Sequence, residues 1–167
     1  MLKAVLLLIV LLACIAVGRS MSGARRRRAE VLSGFLAAMR VLRLRMLNSM
    51  EPLGILLRRS DFGLFRELGN DLRANVSLFD CWQERREREM RRNGALDSLS
   101  DDDLAILDGF FRRLGCSGRN EQSELFAGTI AAIEEAQTHA RRSYADASKV
   151  YTALGTLVGI GLCVLIV

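Results

Sequence analysis

Two uncharged apolar stretches bracket this chain and leave it few options. Fifteen residues from Ala4 to Gly18 carry no charge, and seventeen from Tyr151 to Val167 carry none. At 1.5 Å per residue the first stretch reaches about 22 Å, short of a hydrocarbon core of roughly 30 Å, and Met1 to Lys3 extend it because a lysine stem snorkels. The second is rich in Leu, Val and Ile, with Tyr144, Lys149 and Tyr151 near its entry. The expectation is an N-terminal transmembrane helix over residues 1–19, a folded domain over 20–149 and a C-terminal transmembrane helix over 150–167. A buried core helix would have a composition similar to that of the last segment.

Charge decides which side of the membrane the middle occupies. Arg19 and Arg25, Arg26, Arg27 and Arg28 follow the first stretch, while Arg141, Arg142 and Lys149 precede the second. The positive-inside rule then places the middle in the cytoplasm and both termini outside. A competing reading is a cleaved signal, since Leu11, Leu12, Ala13 and Cys14 approximate a lipoprotein box; the chain would then be an exported lipoprotein or extracytoplasmic binding domain acylated at Cys14. Against it, the apolar run continues through Val17 and the strongest positive charge lies on the distal side. Gly155 and Gly159 form a small-xxx-small pair that suits a packed hairpin or a homo-oligomer contact, although glycine is also ordinary in membrane helices.

Between the two ends apolar residues recur at helical steps: Leu32, Phe35, Met39, Leu42 and Met46, then Leu104, Leu107, Phe111 and Leu114. No period-two alternation occurs, so the fold class is all-α, roughly a six-helix bundle. Pro52 ends a long first helix near Met50 and opens a short second one. Asp61 reads as the cap of a helix carrying Phe62, Phe65, Leu68 and Leu72, a reading that Gly69 weakens. A fourth helix starts near Asn75, carries Val76, Phe79 and Trp82, and stops around Asn93 and Gly94. Ser100 with Asp103 reads as a capping box; three consecutive aspartates fan out by about 100° each on a helix and do not converge on one ion. Gly115 closes that helix. The last helix runs from Asn120 through Phe126, Ile130, Ile133, Gln137 and Ala140 toward the final apolar stretch.

Catalysis finds little to work with. The chain has one His and one Pro, no G-x-x-x-x-G-K-[ST] loop and no G-x-S-x-G elbow, so no enzymatic role or cofactor is expected. His139 reads as a helix-surface residue. Cys81 and Cys116 lack CxxC spacing and flanking histidines, which points to reduced, packed thiols rather than zinc ligands. The run Arg25 to Arg28 would suit phosphates, but it stands beside a membrane with no aromatic platform; lipid headgroups, not nucleic acid, are the expected contact. Glu84 to Arg92 reads E-R-R-E-R-E-M-R-R, with i,i+4 pairs Glu84–Arg88 and Glu87–Arg91. A solvated face is the default reading. The functional alternative is a partner surface formed by Trp82, Glu84, Arg88 and Arg91, with Arg86 over the indole.

Several stretches, taken in order, resemble the stage III sporulation protein AB family. The M-L-K start leading into the basic cluster is similar to the family opening, and Glu51-Pro52-Leu53 before Leu56 resembles its proline turn. Leu114-Gly115-Cys116-Ser117 with Arg119 and Gln122 resembles the L-G-x-S-x-R-x-x-Q element, and Tyr144 to Gly155 resembles the entry into a glycine-bearing span. The resemblance implies a non-enzymatic scaffold of the channel-like, secretion-like apparatus between mother cell and forespore. Its central domain would be similar to the cytoplasmic domain of the type II secretion platform protein. The implied location is the cell membrane, on the mother-cell side of the outer forespore membrane. The implied partners are the stage III sporulation protein AA ATPase and other channel subunits.

Overall fold

The computed structural model describes the backbone of residues 2–49, 51–72 and 76–166, and the side-chain surroundings of 23, 26–49, 51–72, 76–143 and 145. In chain order the helices are α1 (Leu2–Asn48), α2 (Leu53–Arg58), α3 (Gly63–Asp71), α4 (Leu78–Arg91), a 3-10 helix (Ala95–Ser98), α5 (Asp101–Arg113) and α6 (Arg119–Ile166). Among the described residues there is no strand, so the chain is all-α as expected.

The two long helices form the spine. On α1, Leu32, Phe35, Leu36, Met39 and Leu42 are buried at steps of three and four, which turns one stripe of the helix toward the core. Polar contacts fix how α6 lies against it. Ser33 accepts from Gln137 and from Arg141, Arg40 pairs with Glu134, and Arg43 Nη2 donates to Ser123 Oγ at 3.3 Å. Residue numbers rise along α1 as their partners' numbers fall along α6. The pair is therefore antiparallel, and α1 enters the bundle at the end where α6 leaves it.

Local chemistry explains the breaks. Past the end of α1, the Pro52 carbonyl accepts from the Ile55 and Leu56 amides at 2.9 and 3.3 Å, which opens α2. Asp61, expected to cap α3, does not: Phe62 takes the N-cap position without a side-chain cap bond, and Ser60 Oγ accepts from the Phe62 amide at 3.3 Å. Gly69, which looked like a weakness of α3, is where that helix touches α2. A Cβ there would sit 2.6 Å from the Arg58 backbone nitrogen, so only glycine permits the approach.

Ser77 Oγ caps α4 by accepting from the Asp80 amide at 3.0 Å. After α4, Asn93 adopts φ +50 and the Gly94 amide returns to the Glu89 carbonyl at 2.8 Å. Glu89 Oε2 accepts from the Ala95 amide, and the 3-10 turn drives Leu96 into the core. That turn gave no sign in the sequence, because four residues are too few to display a period.

One aromatic cluster joins five elements. Phe35 of α1 meets Phe62, Phe65 and Trp82 edge-on, with centroids 4.9, 5.8 and 6.4 Å away. Trp82 of α4 stacks on Phe111 of α5 at 4.3 Å, and Phe110 meets Phe126 of α6 at 5.2 Å. Such pairs add about 0.5–1.5 kcal/mol each beyond the area they bury. In a chain so poor in aromatics, this concentration holds the bundle together.

Among the described residues no helix is long and apolar enough to cross a membrane. The transmembrane segments expected over 1–19 and 150–167, with Cys14, Cys163, Gly155 and Gly159, lie outside the residues whose side chains are described.

Candidate functional site

Where α1 enters the bundle, a buried ionic joint ties it to the start of α5. Arg28 grips Asp103 with both arms, Nε to Oδ2 at 2.7 Å and Nη2 to Oδ1 at 2.9 Å, and Nη2 also donates to Ser100 Oγ at 3.1 Å. Asp103 is simultaneously the expected capping-box residue: its Oδ2 accepts from the Ser100 amide at 3.0 Å, while Ser100 Oγ accepts from the Asp103 amide at 3.3 Å. The Asp103 side chain is only 1% exposed. Burial pushes its carboxyl up, but the bonds from Arg28 and Ser100 outweigh that and hold it below the usual carboxylate range. In return the hydrogen bond to Asp103 holds the Arg28 guanidinium above its ordinary value.

The rest of the expected membrane-proximal cluster is divided. Arg26 Nε reaches Glu30 at 2.8 Å, and Arg27 Nη2 donates to the Asn93 carbonyl at 3.3 Å, which brings the turn after α4 to the same end of the bundle. The Arg25 side chain lies outside those described. Arg28 thus has a structural duty that the sequence reading did not assign to it. It and Asp103 are 75 positions apart, and no spacing rule connects them.

The expected partner surface on α4 requires a correction. Trp82 is 1% exposed, stacked on Phe111, with its Nε1 donating to Asp108 Oδ1 at 2.6 Å, so the ring cannot anchor a partner. Arg86 does not cover it but binds Asp108 Oδ2 at 2.5 Å. The cation–π contact observed is Arg112 over Phe79 at 4.6 Å. Glu84 and Arg91 do face solvent, 74% and 78% exposed, and Arg91 pairs with Glu87 at 2.9 Å. Arg88 is drawn to Asp71 at 3.1 Å, with Glu84 more distant at 3.8 Å. Arg85, missed from sequence, bridges Glu67 and Asp71 at 2.6 and 2.5 Å and clamps α4 to α3.

The loop between α5 and α6 is organised by one buried side chain. Gly115 turns the chain at φ +79. Gln122 Oε1 accepts from the Gly115 amide at 3.1 Å, and its Nε2 donates to the Arg113 carbonyl at 3.0 Å and to Ser117 Oγ at 2.7 Å. A spacing of glycine, serine and glutamine that carried no chemistry on its own is thereby a stitched helix–helix corner.

The sequence model described as Stage III sporulation protein AB matches residues 3–167. The chain belongs to that family. No curated protein and no solved structure matches. The stage III sporulation protein AB family is not a known enzyme family. The stretch Leu114 to Gln122, on which the resemblance partly rests, coincides with the corner stitched by Gln122.

An open groove of about 730 Å³ runs between α5 and α6, lined in part by Ala105, Gly109, Gly128 and Ala132, with Cys116 at its edge. The same lining carries Arg113, Glu121 and Glu124, so the groove is charged as well as shallow-walled by small residues. Cys116 is exposed, contrary to the expectation of a packed thiol, because it rides on the turn outside the core; Cys81 is buried as expected. His139 is exposed on α6. Among the described residues no three His, Cys, Asp or Glu side chains group to hold a metal.

Proposed function

We propose that this protein is a non-enzymatic membrane scaffold of the mother cell–forespore channel apparatus. Two spans, 1–19 and 150–167, fix the bundle against the membrane, and the bundle docks the secretion-type ATPase stage III sporulation protein AA on the cytoplasmic side. The observation that carries this reading is the antiparallel pairing of α1 with α6, read from Ser33 with Gln137 and Arg40 with Glu134. It sends both uncharged stretches out of the same end of the bundle, which is what a hairpin held in one bilayer needs. Family membership supports the sporulation role. The exposed charges of α4, Glu84, Arg88 and Arg91, suit steering of an encounter more than affinity, since Trp82 is withdrawn into the core.

The test is retention of the purified ATPase on the full-length chain in detergent. Retention is expected, and charge reversal at 84, 88 and 91 is expected to slow association while leaving dissociation nearly unchanged. Absence of retention by the wild-type chain rules out the docking role. Recovery of the untagged full-length chain in the aqueous fraction, without detergent, rules out the two spans.

A further inference from the structure

The pole of the bundle opposite the joint carries a second surface. On α1, Val41, Leu44 and Arg45 share an outward face at i, i+3 and i+4, with Val41 43% and Leu44 63% exposed. Ile55 and Arg58 of α2 and its C-cap Arg59 are exposed as well, Ile55 to 37%. Arg45 Nη1 donates to the Arg59 carbonyl at 3.0 Å, which ties this part of α1 to the end of α2. A recess of about 360 Å³ opens there, lined by Arg45, Ser49, Glu51, Leu56 and Arg59. Ser49 Oγ is a buried side-chain atom there with no hydrogen-bond partner among the described residues.

Charge says what fits. Residues 40–61 contain five arginines, Arg40, Arg43, Arg45, Arg58 and Arg59, against two carboxylates, Glu51 and Asp61. Arg40 is held by Glu134 and Arg59 by Glu51 at 2.8 Å, whereas Arg45 and Arg58 give hydrogen bonds only to backbone carbonyls among the described residues. Apolar side chains left in water beside guanidinium groups that lack carboxylates match a segment with one apolar stripe and flanking acids. Along α1, Arg45 lies about 25 Å beyond Arg28, so the surface points away from the end where both long helices leave.

We propose that Val41, Leu44, Arg45, Ile55, Arg58 and Arg59 form a docking surface for an acidic amphipathic helix of a soluble partner. The proposal rests on the docking role above and names the chemistry of the partner's contact. Apolar residues of the helix cover Leu44 and Ile55, and its carboxylates meet Arg45 and Arg58.

Two probes separate this surface from the docking role. The first is a fluorescein-labelled helical peptide with Leu at i, i+3, i+4 and i+7 and Glu elsewhere, read by anisotropy against the full-length chain in nanodiscs, beside a peptide with Lys in place of Glu. Binding of the acidic peptide is expected, weakening about tenfold between low and moderate salt and again about tenfold in Leu44→Asp or in Arg45→Glu with Arg58→Glu. Equal binding of the Lys peptide, or unchanged binding by both variants, overturns the surface. So does self-association of the wild-type chain that Leu44→Asp abolishes, because the occupant is then a second copy. The second probe is the purified ATPase. If the wild type and both variants retain it equally, the surface is wrong and the docking role stands; if the acidic peptide binds and the ATPase does not, the docking role fails and the surface stands.

Discussion

Asp103 shows how much one carboxylate carries when it serves two elements. It caps α5 and it receives α1 through Arg28, both at a site nearly closed to water. Removing one member leaves the other buried and unpaired, so Arg28→Ala and Asp103→Ala are each expected to cost about 2–4 kcal/mol in urea unfolding of the full-length chain, discounted because Arg28 is a quarter exposed. The double variant is expected to cost clearly less than the sum, since the second substitution removes a group already orphaned. The carboxyl of Asp103 is held below its unfolded value, which is about 3.9. Its contribution is therefore complete above that value and is lost as pH falls through the lower folded value, and a melting profile between pH 5 and 2 should lose its steepest part in Asp103→Asn. Gln122 makes a second case: Gln122→Ala gives up three hydrogen bonds at a buried corner, and about 2–3 kcal/mol is expected in the same assay. Gln122→Glu is expected to be no better, because a carboxylate has no N–H to offer the Arg113 carbonyl.

At the scale of helices, what the sequence made legible was whatever depends on neighbours within one or two turns. The α1 stripe from Leu32 to Leu42, the Pro52 break, the Ser100–Asp103 box and the Gly115 turn are of this kind, and each stands where its spacing put it. What the sequence hid depends on a second element. Glu84 to Arg92 reads as a uniformly wet face, yet Arg85 and Arg86 turn inward to carboxylates on α3 and α5, and Trp82 is covered because Phe111 and Asp108 come to it from α5. Gly69 is the sharpest instance, because in isolation it lowers helix propensity and in the bundle it sets the distance between α2 and α3. Gly69→Ala is expected to destabilise by about 1–3 kcal/mol despite its better propensity, whereas Gly109→Ala, where a Cβ meets nothing within 4 Å, should be neutral or stabilising. Equal effects of the two in thermal melts would remove the close-packing account.

For the whole molecule the antiparallel spine and the joint at its open end act together. Arg28 holds α1 to α5, Arg40 and Gln137 hold α1 to α6, and the aromatic cluster locks the short helices between them. The proposed two-span topology then has a consequence for the two cysteines in the bundle. Cys116 is exposed on the α5–α6 turn and Cys81 is buried on the core side of α4. In intact cells a membrane-impermeant maleimide should leave the Cys116 peptide unmodified, and in permeabilised cells it should modify Cys116 while Cys81 reacts only after denaturation, all read by peptide mass mapping of the unaltered chain. Modification of Cys116 in intact cells would place the bundle outside, and the positive residues that flank it would then have to be explained by something other than topology.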